Sequence, residues 1–306
     1  MIGPDVLIRR ALPGRRDVLT GRPGDGTLLR RYAGDWRSIL EGTSIGLLQL
    51  MYPPLGAAVA AQSGFFEDPY GRIYRSIPQI WATLLAPDAD ERARKIRDLH
   101  RGIKGVVNGQ RYHALEPETF WWAHATFTHL IIRSVERYHW RDRLDGAGYE
   151  HLYADTVAWY ERYGVSLRAV PASYPQFRAT FKRFCAERLE LTPAVLRLVA
   201  RGDSATPGTR PASTPLELLT APILSRWGRL STIGNLPPAV RQHLGSPWSQ
   251  DDQVRLDRLA HAYRLAFETM PTSLNRATFE HALRLTGSRT RRQRFVPPER
   301  AAGPAR

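Results

Sequence analysis

Two histidines carry the first chemical signal in the chain. His100 stands in RDLHRGIKG (97–105), and His124 in ETFWWAHATFTHLIIRSV (118–135). Ile96, Leu99, Ile103 and Val107 recur at helical spacing, which puts His100 at the edge of an apolar stripe. His124 falls between Trp121 and Thr128, on one face of a helix that is apolar almost all round. Two inward imidazoles on neighbouring helices suit a haem or metal pocket. One would be the axial ligand, with Arg72 and Arg111 close enough in sequence to meet propionates. Ordinary cores also hold hydrogen-bonded histidines, so spacing alone leaves both readings open.

Other constellations are weaker. Arg72 and Ser76 are four residues apart and share a helix face. That helix should start at Pro69 behind an Asp68 cap and kink at Pro78. Its Arg and Ser could line a polar pocket or simply face water. Glu136 and His139 make one E-x-x-H, whereas a di-iron bundle needs two and further inward glutamates. This pair is expected near the polar end of the long helix. Gly42-Thr43-Ser44-Ile45-Gly46 matches G-x-S-x-G, but a nucleophile elbow needs a preceding strand, and residues 35–41 do not alternate. A glycine-rich helix start accounts for it. There is no H-E-x-x-H, no C-x-x-C and no Gly-rich phosphate loop after a strand, which argues against zinc and dinucleotide sites.

The elements that must position these residues read as helices throughout. Beyond a weak helix at 28–40 and the pair carrying His100 and His124, helices are expected at Tyr149–Tyr163, closed by Gly164, and at Ser173–Leu191. Thr192-Pro193 should open a short one ending at Gly202. After a loop at 203–213, Thr214-Pro215 and Pro237-Pro238 open further helices. Ser249 caps a long one over 252–270, and 274–285 forms the last. The expected fold class is all-α, a helical bundle in a single domain over 26–286. An irregular basic arm (1–25) precedes it and a basic tail (287–306) follows.

Composition narrows the partners. The 306 residues carry a formal net charge of +15, almost all from arginine, since Lys95, Lys104 and Lys182 are the only lysines. The arginines are spread along the chain rather than gathered into a reading motif, so no specific nucleic-acid partner is expected. The single cysteine, Cys185, excludes an internal disulfide and fits a reducing, cytoplasmic setting. Neither a signal peptide nor a transmembrane helix is expected: the apolar run 45–61 is broken by Pro53 and Pro54 and is shorter than the ~20 residues of a span. Peripheral membrane contact stays open.

Several stretches, in order, resemble one family. They are LLQLMYPPLGAAVAAQSGFFEDPYGRIYRS (47–76), RDLHRGIKG (97–105), YHALEPETFWWAHATF (112–127), YADTVAWYERYGV (153–165) and LPPAVRQHLGSPWSQDDQVRLDRLAHAYR (236–264). The chain is similar, from about 26 to 285, to the haem-dependent oxygenases that include the latex-clearing proteins (rubber oxygenases) and the mycophenolic-acid-pathway oxygenase. The resemblance implies a globin-like core around haem b, activation of O2, and oxidative cleavage of C=C bonds in isoprenoid chains. It implies that His100, in L-H-x-x-(I/V)-(K/R)-G, is the axial iron ligand, and that Arg72 and Ser76 match a distal Arg and Thr. His124 and Arg75 would also border the cofactor. Three departures stand out: Arg75 replaces a lysine that can close the distal iron site, Tyr52 replaces a histidine, and Gln62 lies near where rubber oxygenases carry a carboxylate base. The expected function is therefore a haem b oxygenase acting on an apolar, unsaturated, isoprenoid- or lipid-like substrate. The alternatives are a haem-free lipid- or partner-binding protein on the same fold, and an arginine-rich nucleic-acid or membrane-surface binder.

Overall fold

A computed structural model of the protein describes residues 27–61, 69–200, 228 and 230–292. The expected arm (1–25), Gln62, Asp68, the 203–213 loop, the helix from Thr214 and the tail beyond 292 lie outside these residues. Among the described residues the fold is all-α with one small hairpin. The helices are α1 (Leu28–Ala33), α2 (Gly42–Leu50), α3 (Pro53–Ala61), α4 (Pro69–Leu85), α5 (Ala89–Leu99), α6 (Pro117–Tyr138), α7 (Gly146–Glu161), α8 (Tyr174–Glu187), α9 (Pro193–Ala200), α10 (Pro238–His243), α11 (Gln250–Thr269) and α12 (Thr272–Arg292), with a 3-10 turn at Trp36–Ile39. Strands β1 (Lys104–Val107) and β2 (Gln110–His113) form the hairpin.

Helix α6 is the axis. Pro117 starts it, and Trp122, Ala125, Thr126, Ile131 and Val135 are almost fully buried on several of its faces. A helix apolar all round must be enclosed. The 3-10 turn and α1, α2, α3, α7 and α11 pack around it. Buried indoles need a hydrogen-bond acceptor. Trp122 donates to the Leu48 carbonyl (3.1 Å), Trp81 to that of Ala33 (2.8 Å) and Trp159 to Thr83 Oγ1 (2.8 Å). The Trp122 ring also stacks on Phe184 at 4.1 Å, which ties α8 to α6.

Local signals act where they were expected. Ser249 and Asp252 form a reciprocal capping box at α11, and Ser173 caps α8. Gly164, at φ +63°, closes the chain after α7. The prolines at 53 and 54 separate α2 from α3, and the two arms of the apolar run meet at a 97° bend. No single described helix is long and apolar enough to cross a membrane. Helix α4 runs through Pro78, and α12 runs on to Arg292, past the expected boundary at 286.

One expectation fails. Helix α5 stops at Leu99, so Ile103 and Val107 do not continue a helical stripe, and Leu99 is 64% exposed. Lys104–Val107 is instead a strand paired with Gln110–His113. The cause is Asn108-Gly109, both at positive φ (50° and 74°), the pair that a tight two-residue hairpin turn requires.

Candidate functional site

His100 is the C-cap of α5. Its Nδ1 lies 2.7 Å from the Ile96 carbonyl, one helical turn back. A carbonyl can only accept, so Nδ1 carries the proton and Nε2 keeps its lone pair. Among the described residues Nε2 has no hydrogen-bond partner, and the ring is half-buried. The ring stands edge-on to Phe120, at 6.0 Å between centroids. Phe120 in turn meets Tyr163 (5.3 Å) and Tyr160 (5.9 Å). The hydroxyls of these tyrosines bond away from Phe120, Tyr163 with Thr83 Oγ1 and Tyr160 with the Ser166 carbonyl. Beside His100 is therefore a wall of aromatic carbon.

The turn after His100 is fastened from below. Ile103 N–H donates to the His100 carbonyl, and Ala114 N–H to that of Ile103. His113 Nδ1 accepts from Leu115 N–H (3.0 Å), so its Nε2 donates to the Arg101 carbonyl (3.0 Å). The Tyr112 ring lies over Gly105, where a Cβ would sit 2.8 Å from the phenol oxygen. The glycine of L-H-x-x-I-K-G thus admits the ring that holds the hairpin under the histidine. His113 and the Asn108-Gly109 turn were missed in the sequence reading; the Asn-Gly pair was the signal that could have found them.

Helices α4 and α5 are joined by only Ala86, Pro87 and Asp88 and pack along one another. Ser76 is half-buried. The side chains of Arg72 and Arg75 lie outside the described residues.

His124 is a different kind of histidine. Its Nε2 lies 3.0 Å from the Thr156 carbonyl, so this nitrogen carries the proton. The ring is enclosed by Trp159 (4.6 Å), Tyr160 (5.0 Å) and Tyr163 (6.2 Å), and burial pushes its pKa down to about 4. It belongs to the same aromatic cluster as Phe120, on the side away from His100. Arg111 is exposed on β2. Tyr52, at the α2–α3 break, is buried and donates to Glu118 Oε1 (2.9 Å), which Arg188 also meets. Burial and this carboxylate hold its phenol up at about 12.

The weaker constellations dissolve. Among the described residues no strand precedes Ser44, which lies in the first turn of α2 and donates to the Glu41 carbonyl (2.6 Å). Glu136 pairs with Arg133 (3.1 Å), and His139, expected at a polar helix end, is buried at the end of α6. Among the described residues no three His, Cys, Asp or Glu side chains converge as a metal cage.

Fold and site together define an all-α protein in which His100, beside an aromatic cluster, has its Nε2 lone pair free. The chain belongs to the family described as the catalytic domain of the ER-bound oxygenase mpaB/B′ and rubber oxygenase, which it matches over residues 30–265. It is thus an oxygenase-family domain, as the ordered stretches had indicated. No curated protein and no solved structure matches it.

Proposed function

We propose that the protein is a haem b-dependent oxygenase acting on an apolar, unsaturated, isoprenoid- or lipid-like substrate, with oxidative C=C cleavage as its reaction. The observation that carries this reading is the His100–Ile96 hydrogen bond. A ligating imidazole donates its second N–H to a fixed acceptor, which sets the tautomer and raises the basicity of the donor nitrogen. His100 has that arrangement. An imidazole with a free Nε2, and no metal cage of His, Cys, Asp or Glu around it among the described residues, suits a metal that brings its own equatorial ligands, as in a porphyrin. Haem held there supplies the O2 chemistry; the chain supplies everything around it.

Phe120 stands against His100, backed by Tyr160 and Tyr163, and covers that side with aromatic carbon. Leu99 (64% exposed) and Val106 (65% exposed) stand on the turn and hairpin flanking the histidine and offer an apolar rim to an apolar substrate. Arg72 and Ser76 would bring a guanidinium and a hydroxyl from α4 as donors to a propionate or to oxygen. Arg75 stays protonated and cannot take the ligating part open to a lysine. A second reading, a haem-free lipid-binding protein on the same fold, is favoured by Tyr52, whose phenol is committed to Glu118 where the resemblance expects a histidine.

One preparation separates the two. Protein purified from a haem-supplied host should show a Soret band in stoichiometric amount, and the reduced form should consume O2 with an isoprenoid chain. Colourless protein that co-purifies with lipid would favour the second reading.

A further inference from the structure

At the far end of α6 from the aromatic cluster, a polar cleft of about 410 Å³ opens between α1, the Asp35–Arg37 turn, the α6 C-terminus and the first turn of α12. From Phe120 to His139 the rise along α6 is roughly 28 Å, so this cleft is separate from the His100 site. His139 forms its floor. The ring is only 3% exposed, neither nitrogen has a hydrogen-bond partner, and Tyr32 meets it edge-on at 4.8 Å. A buried, unpaired imidazole is costly, and His139 lines the cleft.

The charges around it favour an anion. Asp35 is fully used by Arg37, whose backbone N–H (2.8 Å) and Nε (2.9 Å) bond Oδ1 while Nη2 meets Oδ2. Asp142 is paired with Arg31 at 2.7 Å. Among the described residues that leaves Arg276 without an acid partner: its Nη2 donates to the Arg31 carbonyl (3.4 Å) and its buried Nε to nothing. Thr272 opens the 21-residue α12, where backbone N–H groups point outward and the helix dipole is positive, and Arg276 stands one turn further along. Three guanidinium groups against two carboxylates leave the lining net positive, which disfavours a cation. The donors also come from more than one element: Arg276 and the N-terminal turn of α12, and the His139 ring at the end of α6. That arrangement suits a tetrahedral oxyanion better than a planar carboxylate.

We propose that this cleft binds a phosphoryl group, held by Arg276, His139 and the first turn of α12. The proposal uses none of the residues assigned around His100 and does not depend on the haem reading.

The test uses the full-length protein as purified, in chloride buffer at fixed ionic strength, with the histidine ring C–H signals followed by NMR. The probes are inorganic phosphate, glycerol 3-phosphate, phosphatidylcholine vesicles with and without phosphatidic acid, and acetate as the planar control. A saturable shift of the signal that disappears in His139→Gln is expected with at least one phosphate probe and not with acetate. Response to vesicles alone would put the phosphoryl group on a lipid, and response to the soluble probes would put it in solution; both support the site. Arg276→Gln, on the half-buried rim, should keep its circular dichroism and weaken binding tenfold or more. Thr272→Val, also on the rim, should weaken it less. No saturable shift with any phosphate probe, an equal response to acetate, or unchanged affinity in a folded Arg276→Gln protein would overturn the proposal.

Discussion

His100 Nδ1 and the Ile96 carbonyl stand 2.7 Å apart within a single helical turn, while His124 meets the Thr156 carbonyl through the other ring nitrogen, Nε2. The two imidazoles are therefore held in opposite tautomers. Nitrogen-15 chemical shifts of the haem-free protein near pH 7.5 should show a protonated Nδ1 for His100 and a protonated Nε2 for His124. Finding His100 in the Nε2–H form would remove the geometric basis for ligation.

Arg75 occupies the position where the family resemblance places a lysine able to close the iron site. An arginine effectively cannot lose its proton to ligate. The ferric wild-type protein should bind imidazole readily, and Arg75→Lys should resist it and shift toward a six-coordinate spectrum. Identical titrations of the two proteins would show that this position does not control access to iron.

Histidines that burial holds neutral, His129 among them, set an acid limit on stability. His124 and His139 are held at about 4 in the fold, by burial first, against about 6.5 in the unfolded chain. Between these values the unfolded chain binds more protons, so stability is full above about pH 6.5 and is lost as pH falls toward 4. Each could remove about 3 kcal/mol across that window. Buried Glu41 has its pKa raised and acts in the opposite sense. Comparison with a variant cancels its contribution: His124→Gln should show a shallower fall in melting temperature between pH 6.5 and 4.5 than wild type. Parallel pH curves would contradict the buried, neutral state of the ring.

The hairpin under His100 depends on two glycines. At Gly105 a methyl would press on the Tyr112 ring, at a cost of about 1–3 kcal/mol. At Gly109, with φ +74°, any side chain is strained by about 1–2 kcal/mol. Gly105→Ala should lower the denaturant midpoint accordingly and loosen haem retention by displacing the turn, and the same substitution should cost less in a Tyr112→Ala background, where the ring is gone. Wild-type stability in Gly105→Ala would mean that the ring has room to move.

Most of the helices were legible because their signals are local. Pro117, Ser173, Gly164 and Ser249 each announce an end within four residues, and the apolar circumference of α6 announces its burial. The hairpin was not read, because Ile96, Leu99, Ile103 and Val107 fit a helical period by chance, while Asn108-Gly109 and the small Gly102 break it. Partner atoms far along the chain cannot be read from spacing either. Nothing near His124 in sequence points to the Thr156 carbonyl, and nothing near His139 points to Tyr32 or to the opening turn of α12. The resemblance singled out His100, and its hydrogen bond to Ile96 is local; the aromatic wall beside it is assembled from α6 and α7 and needed the fold.

The most direct measurement is the visible spectrum of three proteins expressed side by side in a haem-supplied host: wild type, His100→Ala and His124→Ala, each checked for helix content. Wild type and His124→Ala should carry a Soret band, the latter altered in position, and His100→Ala should be colourless or regain the band only with added imidazole. A pigmented His100→Ala protein beside a colourless, folded His124→Ala would contradict the assignment of His100 as the iron ligand.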